Sequence, residues 1–170
     1  MSSFKEIQVN EFDFNPFSAI GKEWMLITAK KGDKVNTMTA SWGGVGVLWN
    51  KNVVFAFIRP QRFTKEFVDS SDSFSISFYD EKYRKELTYC GRTSGRDEDK
   101  IEKIGFKTLF SDDVPYFEES NVTLICKKLY RQSMDPNSFL YEELKEKNYP
   151  ENDYHAVYVA EIEKILVKEK

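Results

Sequence analysis

The hydrophobic pattern in the first half of the chain is that of β-strands. Residues 24–29 form an apolar, partly β-branched run, and residues 31–34 behind it predict a turn with Gly32 at its tip. Residues 53–58 are continuously apolar, which predicts a strand buried on both faces. Residues 73–78 alternate between serine and apolar side chains, which predicts a strand with one buried face.

Helical signals lie between and after these strands. Thr64 is expected to cap a short helix, and residues 80–89 are expected to form a second helix with its apolar side chains on one side. The capping-box pattern at 94–97 predicts a third helix, which Gly105 is placed to end. Residues 137–148 predict a fourth helix that stops before a proline.

Two long predicted strands, 121–132 and 155–167, complete the pattern. Residues 1–23 are expected to be an edge segment, and no repeat, low-complexity tract or linker divides the chain. We therefore expect one domain over residues 1–170, with a core of roughly 15–165. Many strands with a few short helices predict a mainly β fold, a closed or nearly closed β-barrel with helical insertions.

Composition and charge exclude several classes of protein. The net charge of -3 and the pI near 5.4 argue against binding to nucleic acid, which needs a basic face. No apolar run is long enough for a membrane span, and the N-terminus has no secretory pattern. Cys90 and Cys126 form no CxxC motif, so we expect reduced thiols and a cytoplasmic location. The 15% aromatic content fits a β-rich core, a wide interface or a flat ligand, without choosing among them.

The segment 35–49 is the first candidate for a binding site. Its side chains alternate along an extended chain, and glycines at 43, 44 and 46 let a flat group approach the backbone. Such a strand can hydrogen-bond a polar planar ligand along its edge, although a plain strand with a glycine-rich turn is the alternative. The alternating residues are Thr37, Thr39 and Ser41 on one side and Met38, Ala40 and Trp42 on the other.

Cations accompany two of the predicted helix starts, where free backbone amides attract anions. Residues 59–65 carry three cations, and residues 94–100 carry two behind a serine and a glycine. The alternatives are a solvated basic turn in the first case and an ordinary capped surface helix in the second, where Asp97 and Asp99 themselves satisfy the helix start. The candidate anion ligands are Arg59, Arg62, Thr64, Lys65, Ser94, Arg96 and Lys100.

His155 is the only histidine, and it stands just before the last predicted strand. One histidine, two distant cysteines and scattered carboxylates show no metal-ligand spacing, so we expect no metal site. The chain has no GxSxG motif for hydrolysis, no GxGxxG opening a βαβ unit and no Walker loop. A nucleotide site of Rossmann type is therefore not expected.

Taken together, these motifs resemble the flavin-reductase-like, FMN-binding split-barrel family, and within it the flavoredoxin-like branch. The resemblance rests on residues 36–42, 59–64 and 94–100, and on His155 leading into a strand that ends Ala-Glu-Ile at 160–162. The chain differs from the family pattern at Ala160, where glycine is expected. It also differs in the long segment 133–154, which is poorly matched and can cover the site.

The resemblance implies a homodimer with two FMN sites at the subunit interface. It puts the flavin ring against residues 39–42 and makes His155 the residue that approaches the flavin and the nicotinamide. It puts the phosphate near Arg62, Thr64 and Lys65, with Ser94, Arg96 and Lys100 closing around it.

Three functions remain open at this stage. The first is an oxidoreductase that transfers hydride from NADH or NADPH to FMN, or to an acceptor through bound FMN. The second is a flavoredoxin-like electron carrier that holds FMN tightly, has no nicotinamide site of its own and exchanges electrons with a redox partner protein. The third is a β-barrel interaction module without flavin.

Overall fold

Within residues 3–170, which the computed structural model describes, ten β-strands alternate with five short α-helices. The strands are β1 (Phe4–Ile7), β2 (Met25–Lys31), β3 (Lys34–Ala40), β4 (Gly43–Leu48), β5 (Lys51–Ile58), β6 (Ser73–Phe78), β7 (Thr108–Ser111), β8 (Val114–Phe117), β9 (Val122–Ser133) and β10 (Ala156–Lys168). The helices are α1 (Pro16–Gly21), α2 (Phe63–Ser70), α3 (Arg84–Arg92), α4 (Lys100–Ile104) and α5 (Glu142–Asn148), and 3₁₀ turns span Val9–Glu11, Glu81–Tyr83 and Pro136–Ser138.

Eight of the strands form one antiparallel sheet in the order β3-β2-β6-β9-β10-β5-β4, with β1 beside β10. The register between β9 and β10 shifts after Val159 and again after Ile162, and such irregularities bend a sheet. The bent sheet encloses the core, while β7 and β8 form a separate hairpin. The predicted mainly β class with short helical insertions is confirmed. Among the largest buried side chains of this core are Met25, Ile27, Phe74, Leu124 and Ile165.

The two edge strands of this sheet, β3 and β4, do not pair with each other in the described residues, so the barrel is not closed. Only Ser41 and Trp42 link them. The candidate site lies beside this link and the end of β3.

The strand predictions hold except for the burial of β5 and β6. β5 is not buried on both faces, because Phe55 and Phe57 are half-buried. Gly32 has a φ of 59°, which suits the tight turn between β2 and β3. β6 is buried on both faces, because the β7–β8 hairpin covers the face that the serines were expected to expose. The buried hydroxyls are satisfied inside the protein: Ser75 donates to the carbonyl oxygen of Pro115 at 2.6 Å, and Ser77 bonds with Thr123 at 2.7 Å.

The predicted cap of α2 is wrong. The helix begins at Phe63, and Arg62 is the N-cap residue without a side-chain cap bond. Thr64 lies inside the first turn and is buried. Its hydroxyl accepts a hydrogen bond from Asn36 Nδ2 at 2.9 Å, so it ties the helix to β3.

The helix predicted to open at 94–97 begins only at Lys100. Residues 94–97 form a turn in which the Asp97 amide donates to the Ser94 carbonyl at 3.1 Å. Asp99 is the actual cap, since its carboxylate accepts from the Glu102 amide at 3.0 Å. Gly105 ends the helix at a φ of 69°, as predicted.

The other helical predictions hold in part. The helix predicted over 80–89 consists of a 3₁₀ turn followed by α3, which runs on to Arg92. Within 137–148 only α5 is α-helical. The predicted edge segment 1–23 holds β1, which pairs with β10, and the helix α1, while residues 1–2 lie outside the described residues. No helix between residues 3 and 170 combines the length and the apolar character that crossing a membrane requires.

Candidate functional site

A cavity of about 180 Å³ lies beside the end of β3 and the Ser41–Trp42 link that follows it. Strand pairing brings its walls together: Gly43 pairs with Ala56, and Ala156 pairs with Ile58, so the residues just before β4 and β10 both meet the end of β5. Segments far apart in sequence therefore share one site. The lining residues are Met38, Thr39, Ala40, Ser41, Trp42, Phe57, Arg59, Arg62 and His155.

The wall formed by the end of β3 is uncharged, and its hydroxyls are not all open to a ligand. Thr37 is fully buried, and its hydroxyl lies 2.9 Å from that of Thr28 on β2. Thr39 donates to the carbonyl oxygen of Leu87 on α3 at 2.5 Å. Two of the three alternating hydroxyls are therefore engaged within the protein, that of Thr37 by the neighbouring strand β2 and that of Thr39 by α3, which packs against β3. Ser41 is the one whose hydroxyl has no hydrogen-bond partner within residues 3–170.

Arg62 closes the cavity on the side of α2. Its Nη1 donates to the carbonyl oxygen of Gly91 at 2.8 Å, at the C-terminal end of α3. Its Nη2 is buried and has no hydrogen-bond partner in the described part of the chain. Burial lowers the pKa of Arg62, although arginine stays charged at neutral pH. The Arg62 side chain is thus a cation held in place by one hydrogen bond, and its second terminal nitrogen has no partner in the described residues.

Lys100 provides a second buried cation beside Arg62. Only 3% of it is exposed, and its Nζ donates to the carbonyl oxygen of Cys90 at 3.0 Å. Burial lowers the pKa of Lys100 to about 8, and the charge on Arg62 adds to this effect. Burial also raises the pKa of the free thiol of Cys90 to about 11, so the thiol gives no counter-charge at neutral pH.

The two cations are held by successive carbonyls, where the helix dipole of α3 is negative. Within residues 3–170, no carboxylate lies within ion-pair distance of Arg62 or Lys100. Lys100 lines a second, open cavity of about 960 Å³, together with Asn36, Gly95 and Arg96. The cation pair therefore stands between two cavities and offers unneutralised positive charge.

A sequence match over most of the chain shows to which family the protein belongs. Residues 17–170 match the sequence profile described as "flavin reductase like domain". The chain belongs to this flavin reductase-like family. No curated protein matches it in sequence.

Several solved structures share the fold of this chain. Flavoredoxin from Methanosarcina acetivorans has a TM-score of 0.70 at 21% identity, over 86% of this chain and 69% of that chain. An FMN-binding domain of a flavin reductases-like enzyme from Shewanella baltica has a TM-score of 0.71 at 16% identity, over 98% and 78%. An FMN-binding protein from Thermus thermophilus has a TM-score of 0.66 at 19% identity, over 84% and 69%. The split-barrel fold expected from the sequence is confirmed.

Several predicted anion ligands of this flavin reductase-like domain are engaged elsewhere. Lys65 lines neither cavity, because it pairs with Asp69 one helical turn further along α2, at 2.7 Å. Arg59 lines the smaller cavity but pairs with Asp153 at 2.8 Å. Thr64 lines neither cavity, and its hydroxyl is bonded to Asn36.

The segment around Ser94 is placed beside the larger cavity. The hydroxyl of Ser94 accepts a hydrogen bond from the Arg96 amide at 3.2 Å, and Ser94 lines neither cavity. Arg96 lines the larger cavity, but it pairs with Glu66 at 2.8 Å and lies 4.7 Å from the ring centroid of Phe63. Of the predicted cations, Arg62 and Lys100 are therefore the two without a carboxylate partner.

His155 lines the same cavity as Arg62. It is buried, and its ring lies 5.4 Å from the ring of Trp42. Burial lowers the pKa of His155 to about 4, the positive charge of Arg59 adds to this, and Asp153 opposes it. The imidazole is therefore neutral at pH 7. Its Nδ1 lies 2.7 Å from the hydroxyl of Tyr149.

Two residues of this site were not singled out from the sequence, and a third, Asn36, was named only as part of the stretch 36–42. Phe57 was predicted only as part of a buried strand, but its side of β5 is half-buried and lines the smaller cavity. Asn36 lines the larger cavity and holds α2 through Thr64. Tyr149 lies in the segment 133–154, where no motif pointed to a role. Only the surplus of aromatic residues gave a signal for Phe57 and Tyr149.

Proposed function

We propose that the chain binds FMN and acts as an oxidoreductase of the flavin reductase type, with NADH or NADPH as electron donor. The observation that carries the proposal is the cation pair of Arg62 and Lys100 next to an uncharged wall. A ligand that complements both has a flat polar ring at one end and an anion at the other. FMN has this form.

The residues present fit the phosphate of FMN. The open donor on Arg62 Nη2 and the buried Nζ of Lys100 are charged groups without a carboxylate partner in the described chain. Charge-assisted hydrogen bonds to phosphate are the strong ones, and a bound phosphate would offset the cost of burying two cations side by side. Arg62 and Lys100 would therefore hold the phosphate.

The end of β3 fits the ring. Residues 39–42 bring backbone groups and the free hydroxyl of Ser41 to the wall of the smaller cavity, and Trp42 is 50% exposed beside them. A flat aromatic ring can stack on exposed indole while the strand backbone bonds its polar edge. The hydride chemistry itself belongs to the flavin and the nicotinamide.

The descriptions of proteins with similar structures support FMN as the cofactor. The Shewanella and Thermus proteins are described as FMN-binding, and the Methanosarcina protein is a flavoredoxin. The likeness to flavoredoxin favours a second candidate function, an electron carrier that holds FMN and exchanges electrons with a protein partner.

We also propose that two copies of the chain complete the site. A cavity of about 180 Å³ is smaller than the roughly 300–1,000 Å³ of ligand pockets, so one protomer supplies only part of the walls. Apolar side chains stand exposed on the edge strand β4 and the turn after it: Val47 is 71% exposed, and Trp49 is half-exposed and contacts Tyr130. A second copy packed here would cover apolar surface on the edge strand β4, which starts directly after the cavity residue Trp42.

The absorption spectrum of the purified protein, followed by titration with FMN, tests the cofactor. We expect a flavin spectrum or stoichiometric uptake of one FMN per chain. A colourless protein that takes up no FMN would overturn the proposal. Anaerobic addition of NADH or NADPH then separates the two candidate functions: bleaching of the flavin supports the reductase, and bleaching by dithionite alone supports the carrier.

A further inference from the structure

The imidazole of His155 is bonded through Nδ1 to a residue that does not line the smaller cavity. Nδ1 lies 2.7 Å from the hydroxyl of Tyr149, and Tyr149 is not among the residues that line the cavity. His155 itself lines it. Nε2 has no hydrogen-bond partner within residues 3–170, so it is the imidazole nitrogen that remains available to a ligand in this cavity.

The hydroxyl proton of Tyr149 has two acceptors within reach. They are Nδ1 of His155 at 2.7 Å and the sulfur of Met134 at 3.3 Å. A neutral imidazole nitrogen is a good acceptor and a thioether sulfur a weak one, so the proton belongs to the shorter bond. Burial keeps the imidazole neutral. A neutral ring that accepts at Nδ1 carries its only proton on Nε2.

Tyr149 is itself held in place from several sides. The guanidinium of Arg59 lies 5.0 Å from the centroid of the Tyr149 ring and donates to the carbonyl oxygen of Asn148 at 2.9 Å. The same guanidinium donates to Asp153 Oδ2 at 2.8 Å. The ring of Tyr154 packs on Tyr149 at 5.0 Å. Arg59 thus fastens the segment that carries Tyr149 to the end of β5.

We propose that Tyr149 is a positioning residue that fixes His155 as the Nε2–H tautomer, so that His155 presents a hydrogen-bond donor to the cavity. The matching ligand group would be a neutral carbonyl-type oxygen, such as that of the carboxamide of the electron donor. This ligand assignment rests on the proposed function, while the tautomer does not.

The single histidine makes the tautomer directly measurable. The long-range ¹H–¹⁵N spectrum of the uniformly labelled protein at pH 7 contains one pair of imidazole nitrogens. We expect Nδ1 at the shift of an unprotonated nitrogen and Nε2 at that of a protonated one. The Tyr149→Phe variant should move both shifts toward the average of a tautomer mixture, whereas the control Tyr154→Phe should leave them in place. A proton on Nδ1 in the unmodified protein, or unchanged shifts in Tyr149→Phe, would overturn the proposal. The first of these outcomes requires no variant to fold.

Steady-state kinetics test the ligand assignment. Loss of one hydrogen bond from a well-placed donor should raise the KM for reduced nicotinamide about threefold to tenfold in Tyr149→Phe, with kcat and the Kd for FMN little changed. An unchanged KM would overturn the assignment of the ligand group. If the protein takes up no FMN but shows the expected tautomer, the proposed function and the ligand group fall and the positioning of His155 stands. If reduced nicotinamide bleaches the flavin but the tautomer is indifferent to Tyr149, the positioning falls alone.

Discussion

Arg62 donates through Nη1 to the carbonyl oxygen of Gly91 at 2.8 Å, while the other terminal nitrogen of the same guanidinium is buried and has no partner in the described residues. This hydrogen bond fixes the plane of the guanidinium, and the nitrogen without a partner remains available as a donor to a ligand. An isolated buried charge is costly unless it is paired. Here the unpaired charge lies at the wall of a cavity, which is the arrangement expected of an anion-binding site.

Replacement of Arg62 should therefore weaken FMN binding. A charge-assisted contact is worth about 1.5–3 kcal/mol, so Arg62→Ala should raise the Kd for FMN by roughly one to two powers of ten. Fluorescence titration with FMN measures the change. Lys65→Ala is the matched control, because Lys65 pairs with Asp69 and lines neither cavity. Equal affinities of Arg62→Ala and the unmodified protein would show that the phosphate lies elsewhere.

The affinity for FMN should also depend on pH through Lys100. Burial lowers the pKa of Lys100 from 10.5 to about 8, so in the free protein the side chain is charged below that pH and neutral above it. A bound phosphate favours the charged form and raises the pKa again. Binding then takes up a proton, and the Kd for FMN should rise as the pH increases above about 8.

Two variants of α4 separate this effect from other titrations. Lys100→Arg keeps a charge throughout the range, so its Kd should vary little between pH 7 and pH 9.5, on the expectation that arginine stays charged. Lys103→Gln, at an exposed position of the same helix, should keep the pH dependence of the unmodified protein. If the profile of Lys100→Arg follows that of the unmodified protein, Lys100 is not the titrating group.

Gly95 should tolerate no side chain while Asn36 is present. A Cβ on Gly95 would collide with the side-chain amide of Asn36, which is buried and donates to Thr64 at 2.9 Å. Gly95→Ala should lower the free energy of unfolding by about 1–3 kcal/mol, as overpacking does. Urea unfolding measures this loss.

A double-mutant cycle locates the cause of that loss. In an Asn36→Ala background the clash partner is gone, so Gly95→Ala should then cost much less. Gly44→Ala is the control, since its Cβ would meet only the Phe55 ring at 3.8 Å. Equal costs of Gly95→Ala in both backgrounds would contradict the proposed contact.

The sequence predicts the fold better than it predicts individual contacts. The strands were predictable because apolar runs and the turn at Gly32 are local signals. The burial of β6 was not, because the hairpin that covers it comes about 30 residues later in the chain. The starts of two helices were also predicted wrongly from local signals. Thr64 has the chemistry of a cap, but its hydroxyl bonds with Asn36, which comes close to it only in the folded chain.

The segments that form the candidate site could be predicted from the sequence, but the side chains available to bind a ligand could not. Cations near a helix start indicated an anion site, yet the sequence cannot tell which of them finds a carboxylate. Lys65 finds Asp69 on its own helix and Arg59 finds Asp153, 94 residues away. Arg62 and Lys100 remain without one because they face carbonyls of α3.

A charge on the edge strand β4 should separate the proposed dimer. Val47 is 71% exposed, and a carboxylate there would have to be desolvated when the second copy packs on it. Light scattering behind size exclusion should give the mass of two chains for the unmodified protein and of one chain for Val47→Glu. Phe110→Glu, an exposed position on the separate β7–β8 hairpin, should stay dimeric. A Val47→Glu protein with the mass of two chains would rule out this surface as the interface.

His155 should make the folded protein sensitive to acid. Its pKa is lowered from 6.5 to about 4 by burial, so between these values the unfolded chain binds a proton that the folded chain does not. Stability linked to His155 is therefore complete above about pH 6.5 and is lost as the pH falls toward 4, with a slope of at most about 1.4 kcal/mol per pH unit. The free energy of unfolding in urea, measured in steps from pH 7 to pH 4.5, should fall more steeply for the unmodified protein than for His155→Gln. Since the chain contains no other histidine, the difference between the two profiles isolates this residue. Parallel profiles would mean that His155 takes up its proton as readily in the folded protein as in the unfolded chain.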